Sequence, residues 1–283
     1  MRWTPGGRSS DLEDRRGMRG GGGGLPVGRL GIGGFLLLAV LSIIFKTDLF
    51  SLVGGGGGAV SPTSVDNSAP VETSPEEEKM IQFVSFVFDD VQKKWADIFA
   101  KENLEYRKAK IAIFRDSVDT GCGPAESGMG PFYCPADERV YIDLSFYNEL
   151  DNRFGAPGDF AQAYVIAHEV GHHVQNLLGI SNKVRQAQSG NPSEANALSV
   201  DLELQADCFA GVWGHATQNI LEPGDIEEGL GAASAVGDDS IQRQAGRGVN
   251  PETWTHGSSE QRSQWFRRGF DSGDEDSCNT FGS

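Results

Sequence analysis

The pentapeptide His168-Glu169-Val170-Gly171-His172 constrains this chain more than any other stretch. It is an H-E-x-x-H pattern, two imidazoles four residues apart with a carboxylate between them. On an α-helix four residues advance about 400°, so His168 and His172 share one face, about 6 Å apart along the axis. Two nitrogens in that geometry can converge on one Zn²⁺ ion at about 2.0–2.1 Å. Glu169 can then reach a water on the ion and take its proton. The flanks read as a helix. Pro157-Gly158-Asp159 is a turn with Asp159 as N-cap, and Gly179 follows the end. Ala161, Val165, Ile166, Val170, Val174, Leu177 and Leu178 recur at helical spacing between them. Gly171 costs such a helix about 1 kcal/mol relative to alanine, and close backbone packing under the metal is the expected reason for it. The competing reading is a helix that carries two surface histidines by chance.

A catalytic zinc site usually has three protein ligands and one open position. The other histidines are His173, His215 and His256, and none falls six residues after His172, so the extended three-histidine pattern is absent. The alternative is a carboxylate from a second helix. Glu203-Leu204-Gln205-Ala206-Asp207 lies in a helical run expected from Ser193 to about Asn219. Glu203 and Asp207 share a face at i and i+4. Leu202, Leu204, Ala206, Phe209 and Ala210 make the segment apolar, where two acids are costly unless paired or bound to metal. Glu203 is therefore assigned as the third ligand. Asp207 is assigned to accept the Nδ1–H of a ligating histidine. The plainer alternative is that both acids pair with Arg or Lys or face water. Asp201 points about 160° away from Glu203 on the helical wheel. His256, in a loop, is the remaining candidate for chemistry, either as donor to the oxyanion of a peptide-cleavage intermediate or as an anchor of its own loop. Tyr141 and Tyr164 are weaker donor candidates. His173 is expected to be structural; for His215 a place in the core or on the surface is expected, with a position behind the ligands as the alternative.

Three segments carry a resemblance: His168-Glu-Val-Gly-His-His-Val-Gln175, Glu203-Leu-Gln-Ala-Asp207-Cys-Phe-Ala-Gly-Val-Trp213 and Thr255-His-Gly-Ser-Ser-Glu-Gln-Arg262. Together with Gly130-Pro-Phe-Tyr-Cys-Pro135 and Val140-Tyr-Ile-Asp143, they resemble the bacterial putative neutral zinc metallopeptidase family. The resemblance covers roughly residues 76 to 283, with a membrane-anchored N-terminus of the same style. It implies a zincin-like peptidase fold with a glutamate as third ligand and leaves the substrate open.

The chain has 283 residues and a formal charge of −16. The first 30 residues carry six Arg against Asp11, Glu13 and Asp14, so the acidity is concentrated downstream. A domain that acidic does not hold nucleic acid by phosphate neutralisation. Leu30 to Phe45 is an apolar run, extended to Val53 if Lys46 snorkels. Arg15, Arg16, Arg19 and Arg29 precede it, which by the positive-inside rule places the N-terminus in the cytoplasm. A cleaved signal peptide is the rival, disfavoured by the long basic region and the lack of an A-x-A site. The expected organisation is a basic, Gly-rich cytoplasmic tail (1–29), a single transmembrane anchor (30–53), a flexible linker (54–75) and an extracytoplasmic zinc peptidase domain (76–283). The four cysteines allow three pairings. Cys122–Cys134 and Cys208–Cys278 are expected, in an oxidising compartment, with a free thiol as the alternative for Cys208.

The expected fold is α+β and predominantly helical: a zincin-like domain with a small sheet, preceded by the transmembrane helix. Glu76 to about Asn103 reads as an amphipathic helix with the stripe Ile81, Val84, Phe88, Val91, Trp95 and Phe99. Strands are expected at 110–115 and 139–144, separated by a cysteine loop, with an exposed edge of the second strand able to pair with an extended peptide. Short helices are expected at 146–154, 225–236 and 239–245, and a last helix through Phe270. The functional expectation is a membrane-anchored endopeptidase with one Zn²⁺, acting on peptide or protein substrates. A zinc-clamped binding module and a zinc amidase acting on cell wall are the rivals.

Overall fold

The computed structural model describes residues 1–18 and 71–281. The expected membrane segment 30–53 lies outside the described residues, and among those described no helix is long and apolar enough to cross a membrane. A four-stranded sheet runs in the order β1 (Leu12–Asp14), β2 (Lys110–Phe114), β6 (Arg139–Asp143), β5 (Phe132–Cys134). The first three strands are parallel and β5 is antiparallel. Between β2 and β5 a hairpin of β3 (Ser117–Thr120) and β4 (Gly123–Glu126) stands apart. The helices are α1 (Pro75–Lys101), α2 (Ser145–Asn152), α3 (Asp159–Leu177), α4 (Ile180–Gly190), α5 (Ala195–Ala216), α6 (Asp225–Ala235), α7 (Asp238–Gln244) and α8 (Ser259–Ser272).

Alternation along the strands divides the core. Ile111, Ile113, Val140 and Ile142 face the main core with the α1 stripe Ile81, Val84, Phe88, Val91, Trp95 and Phe99 and the apolar residues of α3. Ala112, Phe114 and Tyr141 face the other way, against Val118, Ala125 and Cys134. The periodicity of α1 therefore leads directly to its buried face. Ser74 caps it by accepting from the Glu77 amide, and three glutamates occupy its first turn, where the helix dipole favours them.

Helices α3 and α5 cross so closely that a Cβ on Gly171 would lie 3.0 Å from the Ala206 carbonyl oxygen and 3.2 Å from its Cα. The in-helix glycine is there for that approach, as its cost in the sequence suggested. A second backbone contact joins α5 to α8: a Cβ on Gly269 would collide with the Cys208 carbonyl, and one on Gly211 with that of Phe266. The disulfide Cys208–Cys278 ties the tail to the same helix, and Cys122–Cys134 closes the loop before β5.

Four expectations need correction. Asp159 is the first residue of α3, not its cap; Gly158 is the cap, and the Phe160 amide donates to Glu228 from α6. The strand at 139–143 is interior, flanked by β2 and β5, so the exposed edge belongs to β5, inside what had read as a loop. Only three residues long and bounded by Gly130-Pro131 before and Pro135 after, β5 has no period to detect. The long helix begins at Ala195, after a short 3₁₀ turn.

The fourth correction concerns residues 1–29. Their described part, 1–18, is not a separate tail but part of the domain. β1 pairs Leu12, Glu13 and Asp14 with Ile111, Ala112 and Ile113. Met1 is buried, and its ammonium lies 2.5 Å from Asp159 and 3.1 Å from Asp225. Trp3 packs edge-on to Phe83.

Two predictions follow from this packing. Gly171→Ala should lower the thermal midpoint, overpacking costing roughly 1–3 kcal/mol of stability. Gly231→Ala, at an exposed point of α6 where a Cβ meets nothing within 4 Å, should raise it, adding about 0.5–1 kcal/mol of stability. The second concerns acid. Hydrogen bonds from Arg16 and Arg8 hold the Asp14 and Glu78 carboxyls below their ordinary values of 3.8 and 4.5. Their stabilisation of the N-terminal segment is complete above those values and is lost as pH falls through the lowered ones. Amide exchange at β1, corrected for intrinsic rate, should be slow at neutral pH and lose protection first in acid.

Candidate metal centre

The crossing at Gly171 and Ala206 positions the ligands. His168 and His172 lie on the face of α3 turned to α5, and Glu203 lies one turn before Ala206. One carboxylate oxygen of Glu203 is 3.1 Å from His168 Nε2, and the other is 3.4 Å from His172 Nε2. The ligand atoms of these three residues all fall within 4.8 Å of one another. Two neutral nitrogens and one carboxylate are a donor set suited to zinc, and three ligands leave a coordination position for water or substrate.

Both imidazoles are aimed from behind. His168 Nδ1 is 2.8 Å from Asp207 Oδ1, the contact expected of that residue. His172 Nδ1 is 2.9 Å from Gln175 Oε1. Gln175 in turn donates to the Leu202 carbonyl and to Gln205, and Gln205 donates to the Cys278 carbonyl beside the disulfide. With Nδ1 engaged on both rings, both Nε2 atoms face Glu203, donating to its carboxylate when protonated and offering their lone pairs to an ion when neutral.

Asp207 is fully buried and accepts from four directions. Tyr164 donates its hydroxyl at 2.5 Å. Arg262, on α8, donates from Nε and Nη2 to the two carboxylate oxygens at 2.8 and 2.9 Å. His168 completes the set. Burial opposes ionisation of Asp207, but the charges of Arg262 and His168 outweigh it and keep its carboxyl below the ordinary range. Burial likewise works against ionisation of Glu203, and the imidazoles, His172 foremost, hold it well below. Burial alone would lower the His168 imidazole, yet Asp207 and Glu203 raise it to about 10. Glu169 is buried beside the ligands, and desolvation raises its carboxyl, the direction a base working near neutrality needs.

His256 reaches the same neighbourhood. Its charge helps depress Glu203, and Glu203 helps raise it. Its Nδ1 is 3.2 Å from Asp238 Oδ1. The other oxygen of Asp238 accepts the backbone amides of Thr255, His256 and Gly257 at 2.8, 2.7 and 3.2 Å. Asp238 therefore holds both the loop and the ring, leaving Nε2 outside this contact.

The remaining sequence candidates separate cleanly. Tyr164 lies under His168 and is spent on Asp207, and Tyr141 donates to Asp137 on the far side of the sheet; neither is placed as an oxyanion donor. His173 is structural, as expected: it is hydrogen-bonded to the Tyr133 hydroxyl of β5 at 2.9 Å and to the Arg107 carbonyl at 2.6 Å, which pins the edge strand to the metal helix. His215 is hydrogen-bonded to the Phe270 carbonyl. Asp201 stands outside the ligand group. Arg262, Asp238 and Gln175 were not given roles from the sequence. Arg262 and Gln175 stood inside segments that resembled the family, and Arg262 shares a buried face with Phe266 at i+4, a pattern that hints at a partnered charge.

The family model described as "Putative neutral zinc metallopeptidase" matches residues 1–281, and the chain belongs to that family. The match includes the N-terminal segment. YpfJ of Escherichia coli (strain K12), described as an uncharacterized protein, is 50% identical over 293 residues, covering 100% of this chain and 99% of the relative. Rv2575 of Mycobacterium tuberculosis (strain ATCC 25618 / H37Rv), described in the same way, is 47% identical over 189 residues, covering 62% of this chain and 63% of the relative. No solved structure matches.

Replacing Asp207 by Asn should weaken metal binding by about 10–100-fold, the usual cost of losing a carboxylate behind a ligating histidine. Chelator competition on the folded variant measures it. Asp201→Asn on the same helix should leave the affinity unchanged.

Proposed function

We propose that this chain is a zinc-dependent endopeptidase. The observation that carries the reading is the carboxylate of Glu203 lying between the Nε2 atoms of His168 and His172, with Glu169 buried alongside. His168, His172 and Glu203 would hold one Zn²⁺, which when bound supplies a Lewis acid that acidifies water and polarises a carbonyl. Glu169 takes the proton of the attacking water and returns it to the departing amine nitrogen. Asp207 and Gln175 keep the two imidazoles in the tautomer that leaves Nε2 free. His256, oriented by Asp238, donates from Nε2 to the oxyanion that develops on the scissile carbonyl.

The substrate is an extended polypeptide. Among the described residues β5 pairs only with β6, and its outer edge is held beside the metal helix through Tyr133 and His173. A peptide strand added there would be bound through its main chain, with loose side-chain selectivity. The apolar run 30–53 is proposed to attach the enzyme to the bilayer.

Purified protein should contain about one zinc per chain, and His168→Ala and Glu203→Ala should each lose it. Glu169→Gln should keep the metal while hydrolysis of an unfolded protein falls by about 10²–10⁴-fold. Undiminished hydrolysis by that variant would refute the mechanism. His256→Ala should keep the metal and lower kcat by about 10²–10³-fold, as loss of an oxyanion donor does; an unchanged kcat would leave His256 as an anchor of its loop.

A further inference from the structure

We propose that residues 1–18 are an integral edge strand of the peptidase domain and share its compartment, so that the apolar run 30–53 cannot leave its two flanks on opposite faces of a bilayer. The segment is bound along its length. At its start the Arg2 amide donates to the Ile220 carbonyl at 2.7 Å, and Trp3 packs on Phe83 and Phe86 of α1. In its middle the Ile111 amide donates to the Asp11 carbonyl at 3.0 Å, and the Arg15 amide donates to Ile113 at 2.8 Å, the two ends of a parallel ladder. Removing it would strip one edge of β2 of its partner and uncover the aromatic face of α1.

The end of this segment also meets the start of the rest. The Arg16 guanidinium is almost wholly enclosed and is shared among Asp14 at 2.6 Å, the Thr73 hydroxyl at 3.0 Å and Glu77 at 2.8 Å. Arg8 bridges Asp14 and Glu78 at 2.9 and 2.5 Å. Residues 16 and 73 therefore lie at one place on the domain. The same pairs account for the misleading charge signal. Arg15 pairs with Glu13 at 2.6 Å, and Arg16 is buried among acids, so two of the four arginines counted toward a cytoplasmic N-terminus are neutralised within the fold. The domain's two disulfides belong to an oxidising compartment, and the N-terminal segment goes with them.

The shared compartment is independent of catalysis. Its test uses the full chain expressed in intact cells, with Ser10→Cys or Ser189→Cys, both exposed positions on the two sides of the apolar run. A membrane-impermeant maleimide should label both or neither before permeabilisation, and both after it. Labelling of one position and protection of the other would overturn the proposal. A second measurement guards against chance co-location. In the full chain held in bilayer discs, the Ile111 and Arg15 amides should be strongly protected from hydrogen exchange. Exchange at the rate of an unstructured peptide would overturn it equally.

Discussion

The close approach of two helices through a position with no side chain is the constraint on which the candidate metal centre depends. Ala206 rests on Gly171, and the candidate ligands are spaced about that point: His168 three residues before the glycine, His172 one after it, Glu203 three before the alanine. Interiors are close-packed, so a methyl group at 171 would have to push α5 outward. The carboxylate contacts at 3.1 and 3.4 Å leave no slack for that. The glycine's helical penalty is thus offset by the geometry it permits.

Behind the ligands lies a buried charge system that spans three helices. Asp207 comes from α5, Tyr164 and His168 from α3, and Arg262 from α8. An ionised carboxylate in a dry interior is tolerable only when its lone pairs are filled, and here four donor groups fill them. Arg262 reaches it because α5 and α8 touch backbone to backbone at Gly211 and Gly269. The charge system and the glycine contacts are one design: short-range polar geometry needs helices that cannot drift apart. The disulfide Cys208–Cys278 adds a covalent restraint on the same helix and delivers the Cys278 carbonyl to the Gln205–Gln175 chain that steadies His172.

The sheet places the site without supplying it. β5 is fastened to the metal helix by the Tyr133–His173 contact and to the hairpin side by Cys122–Cys134. A strand so short would not hold its position by ladder hydrogen bonds alone. His173, adjacent in sequence to His172 and turned about 100° from it, thus joins the edge strand to α3.

Local chemistry wrote much of this protein into its sequence. The i, i+4 spacing of His168 and His172, the apolar stripe of α1, the paired acids Glu203 and Asp207 in an apolar run, and the cost of Gly171 each imply their environment within a few residues. Both cysteine pairings were expected from among three possible ones, and the fold decided between them. Only the tertiary structure decided what distant segments do together. Gln175, Asp238 and Arg262 are ordinary polar residues until the fold sets them behind His172, His256 and Asp207. The first eighteen residues looked like a basic tail because a string of arginines shows its charge and not its partners. Besides the nearby Glu13 and Asp14, those partners include Glu77 and Glu78, some sixty to seventy residues away along the chain. A pattern in sequence can report a residue's own preference, whereas a contact between remote residues exists only once packing has brought them within a few ångströms.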